Sequence, residues 1–121
     1  MTKISFNKQK VIIEIEGIDK ILALKSSIEI PIEHILSVSK ADDIAKKWLG
    51  IKSITKIKIG GTQLPGVITE GTFYDKGRVF LDIHHPENTI LLSLRNDKYK
   101  EIIIEVKDRD NVINEISQYI K

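Results

Sequence analysis

The sequence predicts one mainly β domain (α+β overall), a partly open antiparallel barrel of about seven strands with a C-terminal capping helix. Three observations carry that prediction. Isoleucine supplies 24 of the 121 residues against three alanines, a β-branched composition that fits a pleated, half-buried surface. Runs of strict two-residue alternation, each bounded by turn residues, recur between Val11 and Val106. One clear helical stripe, Val112, Ile113, Ile116 and Ile120, closes the chain.

Val11, Ile13 and Ile15 alternate with Ile12, Glu14 and Glu16, and Gly17 breaks the run. Ile18 to Lys25 then reads as the returning strand of a hairpin. Ile28, Ile30 and Ile32 alternate with Glu29, Pro31 and Glu33, and the proline marks an edge or a bend. His34 continues extended to Ser39, with Leu36 and Val38 on its face. At Asp42 the period changes. Ile44 and Trp48 recur at helical spacing, Asp42 is placed to cap, and Gly50 ends the segment.

A short strand is predicted over Thr55–Ile59, followed by a loop bracketed by Gly60-Gly61 and Pro65-Gly66. Val67–Tyr74, Arg78–Ile83, Thr89–Leu94 and Lys100–Val106 are the remaining strands. Asp75-Lys76-Gly77, Pro86-Glu87-Asn88 and Asn96-Asp97 turn between them. Gly71 inside its strand marks a bulge or tight bend. The final helix opens at Asp108, with Asp110 in its first turn. A meander of this kind leaves two edges unless it bends and is covered, and a short amphipathic helix suits one open end.

Composition bounds the function. One domain over residues 1–121 is expected from the length and the absence of a linker or repeat. With no cysteine, disulfides, thiolate nucleophiles, zinc–thiolate sites and iron–sulfur clusters are excluded. Nineteen basic against seventeen acidic side chains leave a net charge of +2, so neither nucleic acid nor an anionic membrane is implied by charge alone. The start has no apolar core of a signal peptide, and no apolar run approaches a membrane span. A cytoplasmic protein is expected.

The stretch Gly61-Thr62-Gln63-Leu64-Pro65-Gly66, then Gly71-Thr72-Phe73-Tyr74, then Phe80, Asp82, Thr89 and Ile90, resembles the bacterial pleckstrin-homology-like domains. Tyr99, Glu105-Val106 and Asp108 with the following helix extend the resemblance. It implies two nearly orthogonal antiparallel sheets capped by the C-terminal helix. Such folds host lipid-headgroup binders, peptide binders and oligomerisation modules, so the fold does not choose among them. The region that corresponds to the family's phosphoinositide cradle, Ile15–Lys20, carries Glu16 and Asp19 against one lysine. A phosphoinositide is therefore not an expected ligand. The resemblance also implies a partner groove beside the strand that borders the helix, made by Arg78, Phe80, Ile116 and Ile120.

No catalytic motif is present. The glycines at 60, 61 and 66 precede neither a lysine–serine pair nor a helix, so they read as turn residues and not a phosphate cradle. Ser26, Ser27 and Thr72 lack a histidine–acid partner at recognisable spacing. Asp82 and His84, two residues apart, share a strand face, but the neighbours His84 and His85 point to opposite faces. A metal or enzyme site at Asp82, His84 and His85 would thus need His34 or another carboxylate such as Glu87 brought in by the fold. His34 alone reads as a partly buried structural residue. No metal or cofactor is expected.

The basic segment from Lys40 to Lys58 is a second lead. Lys46, Lys47, Lys52, Lys56 and Lys58 surround Trp48, and basic residues around an aromatic could mark a membrane surface. The plainer account is a solvated lysine face with Trp48 in the core. The sequence therefore leads to a non-enzymatic interaction module, binding protein partners or copies of itself. Peripheral membrane binding through the lysine segment is the alternative, and nucleic acid is not expected.

Overall fold

A computed structural model of the protein describes residues 1–7, 9–50 and 57–120. Nine strands form two sheets among these residues, and the strands close no barrel. β1 (Thr2–Asn7), β2 (Lys10–Ile15) and β3 (Ser27–Pro31) make a small antiparallel sheet in that order. The larger sheet contains β4 (Ile35–Lys40), β5 (Ile57–Leu64), β6 (Ile68–Tyr74), β7 (Arg78–Ile83), β8 (Thr89–Leu94) and β9 (Glu101–Glu105). Its order is β4-β8-β9-β7-β6-β5, antiparallel except where β7 meets β9 in parallel. The predicted meander therefore gives way to a crossover, because β9 pairs with both β7 and β8.

Three helices complete the chain: α1 (Asp19–Ala23), α2 (Asp42–Gly50) and α3 (Arg109–Ser117). The larger sheet is covered on both faces. On one, Val11, Ile13 and Ile30 of the small sheet meet Phe80, Ile102 and Ile104, with Ile116 of α3 at the same core. On the other, Ala45 and Trp48 of α2 pack on Phe73, Leu81 and Ile103, and the Trp48 and Phe73 ring centroids are 5.6 Å apart. Burial on both faces explains why Val79 to Ile83 of β7 is buried without interruption.

Several predicted features are corrected. Ile18 to Lys25 is not a strand; it holds α1, entered through Gly17 at φ +62 and closed by Leu24 at φ +58. Only Asp19 and Ala23 of α1 are buried, so the spacing of its larger apolar residues does not report burial. β2 pairs instead with β1, aligning Ile4 with Ile13 and Phe6 with Val11. His34 ends a short 3-10 turn, its Nδ1 2.8 Å from Asp97 Oδ2. The inward residue of β4 is Ile35, Leu36 is exposed, and a bulge lies between Ile35 and Ser37.

Gly60 and Gly61 lie inside β5, not in a loop, while the turn at Pro65-Gly66 stands. Gly61 and Gly71 face each other across β5 and β6 with φ of +144 and +125. A Cβ on Gly71 would sit 2.1 Å from the Gly60 carbonyl oxygen, so the strands approach as only glycine permits. Asp42 does not act as a cap but receives both guanidinium nitrogens of Arg109, at 2.7 and 3.3 Å. That ion pair holds the Asp42 carboxyl below its usual range and ties α2 to α3.

Candidate functional site

Two neighbouring places carry groups that core packing does not use. The first is the outer side of α1. Ile21 on α1 and the residues that flank the helix, Ile18 and Leu24, are 67%, 65% and 70% exposed. Thr62 Oγ1 on β5 donates to the Leu22 carbonyl at 2.9 Å and fastens α1 beside the sheet edge. Ile59 and Leu64 on β5 are also exposed, and among the described residues β5 pairs with β6 alone.

The second place lies under the start of α1. Glu70 on β6 and Asp82 on β7 stand directly opposite in the antiparallel register. Both point to the side of the sheet that carries Phe80, and His84, two residues past Asp82, follows on that side. Asp19 is brought over them by α1, which lies against β6 and β7. Gly71 adjoins Glu70, so the close crossing at Gly61 sets where that carboxyl sits.

Glu70 and Asp82 have no exposed surface, while 29% of the His84 side chain is exposed. Ligating atoms of the four residues all lie within 4.8 Å of one another. His84 Nε2 contacts Glu70 Oε1 and is 3.2 Å from Asp19 Oδ1 and 3.9 Å from Asp82 Oδ1. The Met1 ammonium pairs with Asp19 Oδ2 and lies 3.2 Å from Asp82 Oδ2, an ion-pair distance without hydrogen-bond geometry at Asp82. Glu105, itself buried, accepts the backbone N–H groups of His84 and His85 through Oε1 and fixes that corner.

Like charges opposed across a strand pair repel, and burial amplifies the effect. Burial foremost, then Asp19 and Asp82, push the Glu70 carboxyl up to about 10. Burial also raises Asp82. Burial opposes ionisation of Asp19 too, but a hydrogen bond with Glu70 and the Met1 ammonium outweigh it and hold that carboxyl below its usual range. Protonated Glu70 is thus an acid facing an ionised neighbour. Glu70 Oε2 and both Asp82 oxygens remain buried without any hydrogen bond from a donor. The arrangement is a nitrogen and carboxylate pocket able to share protons or hold a cation.

The sequence singled out Asp82 and His84, which the fold does bring together. It did not single out Asp19 or Glu70. His85 points away, 65% exposed, with Nδ1 3.6 Å from Glu105 Oε1, and Glu87 is exposed. Trp48 is only 2% exposed, so the aromatic contact that a membrane surface needs is withdrawn into the core. Lys46, Lys47 and Lys58 are exposed, and Lys52 and Lys56 lie outside the described residues. The predicted groove beside β7 is filled. β6 and β9 flank that strand on both sides, Phe80 and Ile116 are fully buried, Ile120 is half-buried and only Arg78 is exposed.

A signal for Glu70 was present in the predicted hairpin. Six residues on either side of Lys76 fall Glu70 and Asp82, so the turn alone sets them opposite. No protein-family model, curated protein or solved structure matches the chain.

Proposed function

We propose that this domain is a non-enzymatic interaction module that presents α1 and the edge strand β5 to a protein partner. The carrying observation is the triplet Ile18, Ile21 and Leu24, which is solvent-facing while the rest of the apolar sequence is largely buried. Exposed apolar residues clustered beside an open strand edge mark an interaction surface. The partner that fits is an extended polypeptide segment. It would pair its backbone with β5 and set alternate apolar side chains against Ile59 and α1. The pleckstrin-homology-like resemblance is carried as part of this proposal. The antiparallel strands and the C-terminal helix at the core support it, and the parallel β7–β9 pair departs from it.

Binding is favoured over catalysis at the buried pocket because Glu70 and Asp82 present no surface to a substrate. The interaction reading is tested by placing a photo-crosslinking amino acid at Ile21, Leu64 or Lys46 in the full chain within its native host. Adducts of the same protein at Ile21 and Leu64, absent at Lys46 and lost on Leu24→Glu, are expected. Equal adducts at all three positions, or none at Ile21 and Leu64, would overturn it.

A further inference from the structure

We infer that Asp19, Glu70, Asp82 and His84 form a binding site for one divalent first-row transition-metal cation, of the zinc or cobalt class. Acidic residues alone would not establish this, and two further features do. Glu70 Oε2 and Asp82 Oδ1 are buried oxygens with no hydrogen-bond partner among the described residues, in residues with no exposed surface. Buried polar atoms are nearly always satisfied. The second feature is the imidazole. His84 Nε2 lies against Glu70 Oε1, Asp19 Oδ1 and Asp82 Oδ1, where a neutral ring offers a lone pair to a metal.

The spacing fits. Ligand atoms about 2.0–2.1 Å from a tetrahedral zinc lie about 3.4 Å from each other. His84 Nε2 is 3.2 Å from Asp19 Oδ1 and 3.9 Å from Asp82 Oδ1. The Met1 ammonium engages the Oδ2 atoms of both aspartates, which leaves their Oδ1 atoms turned to His84. The ligating atoms of the four residues lie within 4.8 Å of one another, so rotamer adjustments on the ångström scale would bring one oxygen from each carboxyl and Nε2 around one point.

The donor set selects the ion. Three carboxylates and one imidazole suit zinc, cobalt or manganese, whereas calcium takes six to eight oxygens and magnesium keeps several waters. Four protein ligands, one of them an imidazole nitrogen, fall short of the oxygen number that calcium takes. Entry is from the side of His84 and Asp19, the partly exposed members. Glu105 fixes the ligating histidine by accepting its backbone N–H, an outer support of the kind that metal sites use. A cation here joins α1 to β6 and β7 and so braces the outward face of α1 from beneath.

The test titrates the full chain, stripped with chelator and dialysed, with Co2+ followed by visible absorption, then displaces it with Zn2+ in a calorimeter. One ion per chain with an absorption band of a low-coordinate cobalt site is expected. His84→Ala and Asp19→Asn should each weaken binding by more than the roughly 100-fold that outer-sphere changes produce. His85→Ala should leave affinity within about threefold, since exposed His85 lies outside the pocket. Circular dichroism of each variant, with Asp19→Asn as the partly exposed alternative to His84→Ala, separates lost ligation from lost folding. Absence of cobalt and zinc binding by the folded wild type, or equal loss in His85→Ala, would overturn the assignment.

Discussion

The inner face of β7 changes character within two residues. Phe80 is packed against Ile102 in β9 and closes an apolar core, with the Tyr99 ring at 6.1 Å. Asp82 lies on the same strand and the same face, equally buried, but opposite Glu70 and beneath Asp19. The backbone treats both alike, since each sits in a regular ladder. The difference is that Phe80 finds partners that satisfy it, whereas Asp82 and Glu70 hold oxygens that no donor reaches. One half of the face therefore contributes stability, and the other carries a standing electrostatic load that a cation would relieve.

The largest effect belongs to the apolar half. Phe80→Ala should destabilise the domain by about 3–5 kcal/mol, measured by urea unfolding at pH 7. A loss under about 1 kcal/mol would break the contrast. Gly71→Ala should come next, at about 1–3 kcal/mol or more, because its Cβ meets the Gly60 carbonyl and its φ is +125. This variant should also weaken cobalt binding, since it displaces Glu70.

The polar half should respond with the opposite sign. In chelator, Asp82→Asn removes a buried charge whose ionisation burial opposes, partly offset by losing the Met1 ammonium's neighbour at 3.2 Å, and should raise stability by less than Phe80→Ala lowers it, read in the same urea unfolding. The acid–base behaviour sharpens this. Glu70 ordinarily titrates at 4.5 and is pushed up to about 10 by burial, so between those values the folded state binds the extra proton. Stability of the metal-free protein should accordingly fall as pH rises through that window. Asp82, also raised, adds in the same direction, while Asp19, lowered, acts oppositely and only in acid. Glu70→Gln should flatten the slope above pH 5, and an unchanged slope would place the titration elsewhere.

The smallest effect on stability is expected outside the core. Ile21→Glu on the exposed side of α1 should change unfolding by less than about 0.5 kcal/mol, yet remove crosslinks to a partner. A large loss of stability would mean that this face is structural.

The hairpin from β6 to β7, β8 and the final strand and helix were legible because alternation, turn residues and burial agree there. Arg78–Ile83 and Thr89–Leu94 match the observed strands residue for residue. α1 was not legible, since Ile18, Ile21 and Leu24 face solvent and so break the rule that apolar spacing reports burial. β1 was hidden by its polar residues, Lys3, Ser5 and Asn7 among them, and its place at a sheet edge. The parallel β7–β9 pair depends on a long-range crossover that no local pattern encodes. Within the pocket, Asp82 and His84 followed from strand spacing, whereas Glu70 was not singled out although the turn at Lys76 sets it opposite Asp82. Asp19 depended on a helix that the sequence disguised as a strand.

The most direct test of the contrast between the two halves of β7 is thermal melting of wild type and Asp82→Asn, each with chelator and with excess zinc. With zinc at one hundred times its Kd, the wild type should gain about 2.7 kcal/mol and melt higher, while Asp82→Asn should exceed the wild type in chelator and gain nothing from zinc. Equal zinc shifts in both proteins, or none in the wild type, would contradict the account.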